Sequence, residues 1–300
     1  MEKRKFGKTD MNVSVLGFGA APIGMEEGVA FEEVRRLLEE VLELGVTVID
    51  TASYYDRSEE YIGRAIGNRR KDYYLFSKCG EGESVGLDYP DWDARAVRPS
   101  VERSLKRLQT DYLDLVLIHS CSEAILRQGD LIAEVKKLKE EGLVRYIGYS
   151  GDSTDMLYAI GTGEYDAIET SVNIADQEAV HLTLKEAEKA GLGVIAKRPV
   201  ANVVWKRDES EFNTPGDYKE RLEKLSYPFL EKPADDILET ALRFTLSIPQ
   251  VHTAIVGTKN REHFRQNVQQ AAKGKLEERE MEAILRRWQE VREPAWAGLK

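Results

Sequence analysis

The sequence alternates short, nearly continuous apolar runs with longer stretches in which apolar residues recur at helical spacing. Parallel strands that are covered on both faces are typically apolar along their whole length, as these runs are. Eight such pairs favour a closed (β/α)8 barrel, the TIM-barrel fold, over a doubly wound α/β sheet. The eight apolar runs are MNVSVLGFGAA, VTVIDTA, DYYLFSKCG, LDLVLIHS, VRYIGYSG, DAIETSVNI, LGVIAKRPV and HTAIVGT.

The segments outside this repeated pattern predict two further elements. The first dozen residues indicate a small hairpin with residues 7–10 as its turn, and LEEREMEAILRRWQEV indicates an extra C-terminal helix outside the barrel. Within the pattern, Ser58 is predicted as the N-cap of the helix after the second strand. No low-complexity linker interrupts the chain, so we expect residues 1–300 to form a single domain.

Two connections, residues 80–93 and 199–233, are longer than barrel closure requires. Long loops at the carboxyl ends of barrel strands shape substrate pockets in enzymes of this architecture. We therefore expect these loops to admit and select the substrate. Trp92 and Trp205, one in each loop, are candidate walls of its pocket.

Composition narrows the possible partners and the compartment. The 300-residue chain carries a net charge of −10, which argues against nucleic acid as a general partner. No apolar run approaches the roughly 20 residues that a membrane helix needs, and MEKRKFGKTD has no apolar signal segment behind it. The two cysteines, Cys79 and Cys121, lack metal-ligand spacing, and a cytoplasmic protein without a metal is expected. We expect at least one of these thiols to be accessible.

Polar residues occupy the ends of three consecutive strand-like runs. Asp50 ends the second run, Lys78 the third and His119 the fourth, while Tyr55 lies in the loop just after Asp50. Because the carboxyl ends of neighbouring barrel strands meet at one rim, we expect these four side chains to converge. A buried carboxylate needs a partner, and Lys78 is the predicted partner of Asp50.

A phenol, an ammonium, a carboxylate and an imidazole at one site form a tuned proton donor. The ordinary pKa of a phenol, about 10, is too high for efficient acid–base work near neutral pH. A nearby ammonium stabilises the phenolate and lowers that pKa. The carboxylate holds the ammonium in place, and the imidazole can orient a carbonyl oxygen. This assembly suits protonation of an oxygen while hydride reaches the attached carbon.

Asp50, Tyr55, Lys78 and His119 resemble, in order, type and approximate spacing, the catalytic tetrad of the aldo-keto reductases. The resemblance extends through LGFGAAPIG, VIDTASYYDRSEEYIG, DYLDLVLIHS, LVRYIGYSG, GLGVIAKRP and AIVGTKNREHFRQNV. It implies a (β/α)8 barrel that binds NADPH across its C-terminal face and reduces a small carbonyl substrate. The absence of a GxGxxG motif after any strand agrees with this mode of binding.

The same resemblance implies positions for the cofactor. Gly19 would make room near the reaction centre, and Ser150 would contact the nicotinamide carboxamide. The segment Pro199, Val200, Ala201 and Asn202 would follow the pyrophosphate. The adenosine half would lie on Gly257, Thr258, Lys259, Gln266 and Asn267, with Lys259 on the 2′-phosphate at a helix N-terminus.

Three positions around the nicotinamide depart from the family pattern. Gly151 replaces the usual Asn, Glu169 the usual Gln and Lys197 the usual stacking Tyr. All three changes affect how the nicotinamide ring would be positioned. Glu169 and Lys197 end neighbouring strands, and a lone buried charge at either position would be costly. We therefore predict that Glu169 and Lys197 form an ion pair beside the ring and bind the cofactor.

The interpretation favoured by these residues is an NADPH-dependent reductase of aldehydes or ketones, with Tyr55 as its general acid. Two alternatives remain open. One is a non-catalytic NADPH-binding sensor on the same barrel. The other is a Schiff-base lyase that uses Lys78 or Lys197 at a strand end. Neither the physiological substrate nor the oligomeric state follows from the sequence.

Overall fold

Eight parallel strands close into a barrel in the computed structural model, which describes residues 1–206 and 217–299. The barrel strands follow one another in chain order, and the last pairs with the first. A separate antiparallel hairpin precedes them, as predicted. The hairpin strands are β1 (Lys3–Lys5) and β2 (Asn12–Ser14), and the barrel strands are β3 (Leu16–Gly19), β4 (Val48–Asp50), β5 (Tyr74–Cys79), β6 (Leu113–His119), β7 (Val144–Ser150), β8 (Ala167–Ser171), β9 (Gly193–Lys197) and β10 (Thr253–Val256).

Helices surround the barrel and connect its strands. The helical stretch predicted after β8 is divided at Thr183 into two short helices. The predicted C-terminal helix is present, and its buried Trp288 packs 5.2 Å from the ring of Trp296. The helices are α1 (Ala21–Met25), α2 (Phe31–Glu43), α3 (Ser58–Ile66), α4 (Ala94–Leu108), α5 (Glu123–Leu126), α6 (Asp130–Glu140), α7 (Ser153–Thr162), α8 (Glu178–Leu182), α9 (Leu184–Lys189), α10 (Tyr218–Leu225), α11 (Ala234–Ser247), α12 (Arg261–Ala272) and α13 (Glu278–Val291).

The start of α3 differs from the prediction. Arg57 is the N-cap residue, and Ser58 is the first residue of the helix. The Ser58 hydroxyl is fully buried and donates a 2.9 Å hydrogen bond to the carbonyl of Ala20. The predicted N-cap was wrong because this side chain ties α3 to the segment after β3 rather than to its own helix.

The hairpin closes the N-terminal end of the barrel. Its Phe6, Met11 and Val13 join the side chains inside the barrel in one buried cluster, and the rings of Phe6 and Phe76 stack 5.7 Å apart. Gly7 makes the turn possible, because its φ is +54° and a Cβ there would lie 2.4 Å from the backbone nitrogen of Gly193. The predicted site residues Asp50, Lys78 and His119 lie at the opposite, C-terminal end of the barrel.

The strand register aligns three polar residues at that end. His119 on β6 pairs with Ser150 on β7, and Ser150 pairs with Glu169 on β8. Side chains at paired positions of neighbouring parallel strands point to the same side of the sheet. The three side chains therefore form a polar row at the C-terminal rim.

Part of the long loop 199–233 lies outside the described residues, at positions 207–216. Its described parts include a short 3-10 helix, Ala201–Lys206, and the helix α10. Of the helices that the structure describes, none is long and apolar enough to span a bilayer.

Candidate active site

Asp50 and Lys78 form a buried ion pair at the C-terminal rim. The Lys78 ammonium donates a 2.5 Å hydrogen bond to Asp50 Oδ1 and a 3.0 Å hydrogen bond to the carbonyl of Thr51. Asp50 pairs in register with Phe76, two residues before Lys78, so the lysine side chain reaches back towards β4. Both side chains are about 1% exposed, so the attraction between the charges acts where water screens it little.

Tyr55 lies against this pair. The Lys78 ammonium is 5.3 Å from the centre of the Tyr55 ring, and the ring of His119 meets Tyr55 edge-on at 6.1 Å. Burial raises the pKa of Tyr55 to about 12, although the Lys78 charge acts in the opposite direction. We expected Lys78 to bring this pKa below its ordinary value. That expectation was wrong for the protein alone, because desolvation outweighs the ammonium.

Glu169 is a second carboxylate beside the same lysine. Its Oε2 lies 3.4 Å from the Lys78 ammonium, and its Oε1 accepts a 3.3 Å hydrogen bond from Ser150. Burial and the nearby Glu169 charge raise the pKa of Asp50 well above its usual range. Burial disfavours ionised Glu169 as well, but the Lys78 charge outweighs it and lowers the pKa of Glu169. Two carboxylates thus share one ammonium.

The predicted ion pair between Glu169 and Lys197 was wrong. Lys197 instead lies 2.9 Å from Oδ2 of Asp152, and the other oxygen of Asp152 accepts hydrogen bonds from Thr170 and Ser171. The reason is register, because Lys197 pairs with Ser171, two residues beyond Glu169 along β8. Glu169 therefore pairs with Lys78 instead.

Glu81 is a site residue that the sequence reasoning missed. One of its carboxylate oxygens contacts Nδ1 of His119, and the other accepts a 3.2 Å hydrogen bond from Ser53. Burial disfavours the carboxylate, but its hydrogen bond with His119 outweighs this and lowers the pKa of Glu81. Trp92, expected as a pocket wall, donates a 2.8 Å hydrogen bond to the carbonyl of His119. An acid immediately after the apolar run DYYLFSKCG was the available signal.

Gly151 is required by its neighbour Tyr149. A Cβ at position 151 would lie 2.5 Å from the Tyr149 hydroxyl, which donates a 2.6 Å hydrogen bond to the carbonyl of Cys121. The phenol therefore occupies space that a side chain at 151 would need. This explains why the position that is usually Asn in the family pattern carries glycine here.

The segment after β9 has an unusual backbone. Arg198, Ala201, Asn202 and Val203 all adopt positive φ angles between 45° and 55°, which non-glycine residues rarely do. The Thr245 hydroxyl lies 3.0 Å from the carbonyl of Pro199 and fastens this turn to α11. Non-glycine residues held in such conformations cluster at ligand-binding sites, which agrees with the role expected of residues 199–202.

A basic cleft of about 550 Å³ lies at the N-terminus of α12. Lys259 pairs with Glu26 at 2.6 Å, and both side chains are about half exposed. Arg261 lies 2.5 Å from Glu40, and Arg265 contacts the same carboxylate. The cationic side chains that line the cleft are Arg36, Lys259, Arg261 and Arg265, and the acidic ones are Glu33 and Glu262. Three of these four cations are paired with Glu26 or Glu40, so an anionic group that enters the cleft would compete with these two carboxylates.

The remaining predicted cofactor residues lie beside this cleft. The Asn260 side chain caps α12 through the backbone N–H groups of Glu262 and His263, and the Thr258 hydroxyl accepts from the N–H of Asn260. Asn267 is 7% exposed, and its Oδ1 has no hydrogen-bond partner among the described residues. A buried oxygen of this kind suits an amino group of a bound base. The Gln266 side chain forms a hydrogen bond with the Asp235 carboxylate.

Glycines bring the two ends of the predicted cofactor path together. Gly19 pairs with Asp50 in the register between β3 and β4. A Cβ at Gly257 would lie 3.0 Å from the Gly19 carbonyl oxygen and equally close to Pro22. A side chain at 257 would therefore crowd the segment after β10 against β3, next to Asp50.

The expectation of an accessible thiol was wrong. Cys79 and Cys121 are 0% and 1% exposed and belong to the hydrophobic layer between the strands and helices. Burial raises the pKa of Cys79, which keeps the thiol protonated. Cys79 is adjacent to Lys78 in the chain, and alternation along β5 directs its side chain away from the rim.

Comparisons with known proteins agree over nearly the whole chain. The sequence model of the aldo/keto reductase family matches residues 15–288, from the first barrel strand into α13. The uncharacterized oxidoreductase YqkF of Bacillus subtilis is 31% identical, with 95% of each chain covered. The L-galactose dehydrogenase of Arabidopsis thaliana is 30% identical, with 89% of this chain and 87% of that protein covered.

A solved structure gives the same result. The holo form of aldo-keto reductase AKR11C1 from Bacillus halodurans superposes with a TM-score of 0.82 at 29% identity, covering 96% of each chain. The two chains therefore share the barrel fold.

Proposed function

The chain belongs to the aldo/keto reductase family and is an oxidoreductase that uses a nicotinamide cofactor; on this premise, we propose that it reduces aldehyde or ketone carbonyls to alcohols with NADPH. Tyr55 is the proposed general acid. The observation that carries the proposal is the position of the buried Lys78 ammonium, 2.5 Å from Asp50 and 5.3 Å from the centre of the Tyr55 ring. The His119 ring meets the Tyr55 ring edge-on.

Each member of this group has a separate task in the proposal. Tyr55 holds the proton, because a phenol with a pKa of about 12 stays protonated at neutral pH. Lys78 stabilises the phenolate that remains after the proton has moved to the carbonyl oxygen. Asp50 fixes the lysine, and His119 orients the carbonyl oxygen. The cofactor supplies the hydride when it is bound.

The residues around the rim support a nicotinamide dinucleotide with a 2′-phosphate. Ser150 and Glu169 would hold the carboxamide, and the turn at residues 199–202 would follow the pyrophosphate. The basic cleft would take the 2′-phosphate through Lys259 and the two arginines beside it, because guanidinium groups bind phosphate strongly. Asn267 offers a free buried oxygen to the adenine.

The pairing of Lys197 with Asp152 disfavours the Schiff-base alternative. The Lys197 nitrogen is held 2.9 Å from the Asp152 carboxylate, whereas a Schiff-base lysine needs a nitrogen that is free to attack a carbonyl. The Lys78 ammonium is even less suited to this role. Burial disfavours its charge, but the carboxylates of Asp50 and Glu169 outweigh burial and raise its pKa. A non-catalytic sensor would have the same geometry, and the experiment below distinguishes it from a reductase.

The proposal is tested by a screen of cofactor consumption. Purified protein is mixed with NADPH or NADH and a panel of aldehydes, ketones and sugars, and oxidation of the cofactor is followed. Two relatives are an L-galactose dehydrogenase and a D-arabinose 1-dehydrogenase, so the panel includes both sugars, tested with NADP⁺ and NAD⁺ as well. Turnover that disappears in Tyr55→Phe supports the proposal. Tight cofactor binding without turnover on the whole panel would support the sensor.

A further inference from the structure

The contact between Glu81 and His119 determines which ring nitrogen of His119 carries a proton. Glu81 is ionised, because its hydrogen bond with His119 keeps its pKa low despite burial. An ionised carboxylate only accepts hydrogen bonds, so Nδ1 of His119 must be the donor in this contact. Nε2 is then the nitrogen left for a substrate.

This tautomer has a consequence for carbonyl reduction. In a neutral ring with its proton on Nδ1, Nε2 has only a lone pair and cannot donate to a carbonyl oxygen. Nε2 becomes a donor only when the ring is an imidazolium. The Glu81 carboxylate favours that cation, because an opposite charge in hydrogen-bond contact stabilises the charged form.

We propose that Glu81 is a positioning residue that keeps His119 cationic, so that His119 donates from Nε2 to the carbonyl oxygen of the substrate. This rests on the proposed carbonyl reduction. In that step, a bound nicotinamide cofactor would supply the hydride for the new C–H bond and be oxidised, while the Tyr55 O–H bond breaks and its proton goes to the carbonyl oxygen. The imidazolium keeps both of its protons, and solvent reprotonates the Tyr55 phenolate.

The pair is well placed to keep its charge state. Glu81 is 6% exposed, and Ser53 satisfies its second oxygen at 3.2 Å. Trp92 fixes the backbone of His119 through a 2.8 Å hydrogen bond to its carbonyl. The charged or titratable groups that act on the pair from the surrounding elements are Tyr55 after β4, Cys79 on β5, Arg103 on α4 and Glu169 on β8. Lys78 lies next to them, 5.3 Å from the centre of the Tyr55 ring.

The high pKa of Tyr55 makes a second donor useful. Burial raises that pKa to about 12, and the Glu81 charge adds to the increase. A weakly acidic phenol transfers its proton more readily when the oxygen that receives it is already polarised by a cationic donor. Glu81 therefore strengthens the acid function of His119 at a small cost to that of Tyr55.

The test is an NMR titration of the His119 imidazole in the cofactor-free protein. His119→Asn assigns the signal among the four histidines of the chain. Glu81→Gln keeps the size of the side chain and removes its charge. The midpoint of the His119 titration is expected to fall by about one to two pH units, the equivalent of a lost charge-assisted hydrogen bond. Glu81→Asp keeps the charge, so the His119 midpoint is expected to fall less in this variant.

Glu83→Gln is the matched control, because Glu83 is an exposed acid of the same loop. It is expected to leave the midpoint unchanged, and an unchanged His252 signal reports that each variant folds. A midpoint in Glu81→Gln within about 0.3 pH units of wild type would overturn the proposal.

The pH dependence of carbonyl reduction provides the functional measurement. The alkaline decline of kcat/KM is expected to move to lower pH in Glu81→Gln by about the same interval as the NMR midpoint. An NMR shift without a shift of this decline would contradict the catalytic role of the pair. Failure of the proposed function itself is recognised separately, by undiminished turnover in Tyr55→Phe.

Discussion

The ammonium of Lys78 lies 2.5 Å from Asp50 Oδ1 and is its buried ion-pair partner, yet a second carboxylate, Glu169, lies only 3.4 Å from the same nitrogen. Lys78→Met would leave the two acids facing each other without a cation. Removing one partner of a buried pair costs about 3–5 kcal/mol, and we expect a loss of about 3 kcal/mol in the free energy of unfolding at pH 8. Urea denaturation measures this loss.

The same variant should recover stability in acid. Without the ammonium, burial keeps the pKa values of both carboxyl groups high in the folded state, so they bind protons more tightly than in the unfolded chain. Their contribution is then fully present below about pH 4 and is lost as the pH rises through the folded-state values. The loss of unfolding free energy caused by Lys78→Met should therefore be smaller at pH 5 than at pH 8. Adding Asp50→Asn to the same chain should reduce that loss at pH 8. Equal deficits at both pH values would contradict this account.

Tyr55→Phe tests the proton donor. The substitution removes the phenolic proton and preserves the ring that packs 6.1 Å from His119. Positioned proton transfer is worth about 10²–10⁴-fold, so we expect kcat for carbonyl reduction to fall by at least about a hundredfold. The dissociation constant of the cofactor, measured by fluorescence titration, should stay within about a factor of two, because no bond to the cofactor is proposed for this hydroxyl.

Tyr54→Phe is the matched control. Tyr54 is the preceding residue and is 46% exposed, so this variant removes the same hydroxyl group from a position outside the site. Its kcat should remain within about a factor of three of wild type. If the two variants lose activity equally, Tyr55 has no special role as an acid.

The strand ends could be predicted because two kinds of information coincide there. Apolar runs mark the strands, and a barrel brings their carboxyl ends to one rim, so the sequence alone predicts that Asp50, Lys78 and His119 lie together. Contacts set by loop conformation could not be predicted in this way. Glu81 reaches His119 from an irregular loop, where no periodicity indicates the direction of a side chain.

Register and side-chain volume explain the other failures. Lys197 ends β9, but Glu169 lies two residues before the end of β8, not at its end as expected, and this offset places Lys197 next to Asp152. Neighbouring strands can be inferred from chain order, whereas the offset between them depends on packing across the whole barrel. In the same way, Gly151 is explained only by the Tyr149 phenol that fills its side-chain space.

Lys259 is expected to discriminate between the two nicotinamide cofactors. Lys259→Ala removes one cation from the basic cleft, and a charge-assisted contact to phosphate is worth about 1.5–3 kcal/mol. The dissociation constant of NADPH should rise about tenfold or more, while that of NADH should change little. Titration of both cofactors by fluorescence or calorimetry measures the two values.

Glu26→Gln provides the opposite change. Glu26 pairs with Lys259 at 2.6 Å on the surface and competes with a phosphate for its ammonium. An exposed pair is worth about 1 kcal/mol or less, so NADPH should bind about two- to fivefold more tightly in this variant. Equal weakening of NADPH and NADH in Lys259→Ala would instead place recognition of the phosphate on Arg261 or His263.

Asp176 is a buried carboxyl group behind the rim whose charge should limit stability at alkaline pH. It is 0% exposed, its Oδ2 lies 3.7 Å from the Arg221 guanidinium, and the Tyr218 hydroxyl donates to it at 3.4 Å. Burial raises its pKa to about 7 even though the Arg221 charge lowers it. The folded protein therefore holds this proton up to neutral pH, whereas the unfolded chain releases it near pH 4.

The sign of the effect follows from this difference in proton binding. The contribution of Asp176 to stability is fully present below about pH 4 and is lost as the pH rises through about 7, at about 1.4 kcal/mol per pH unit over that interval. Between pH 5.5 and 8.5 the wild type should lose about 2 kcal/mol of unfolding free energy through this group. Asp176→Asn keeps the shape and cannot ionise, so its urea denaturation curves should lack this part of the decline. Parallel declines in the two proteins would show that Asp176 is already ionised at pH 5.5.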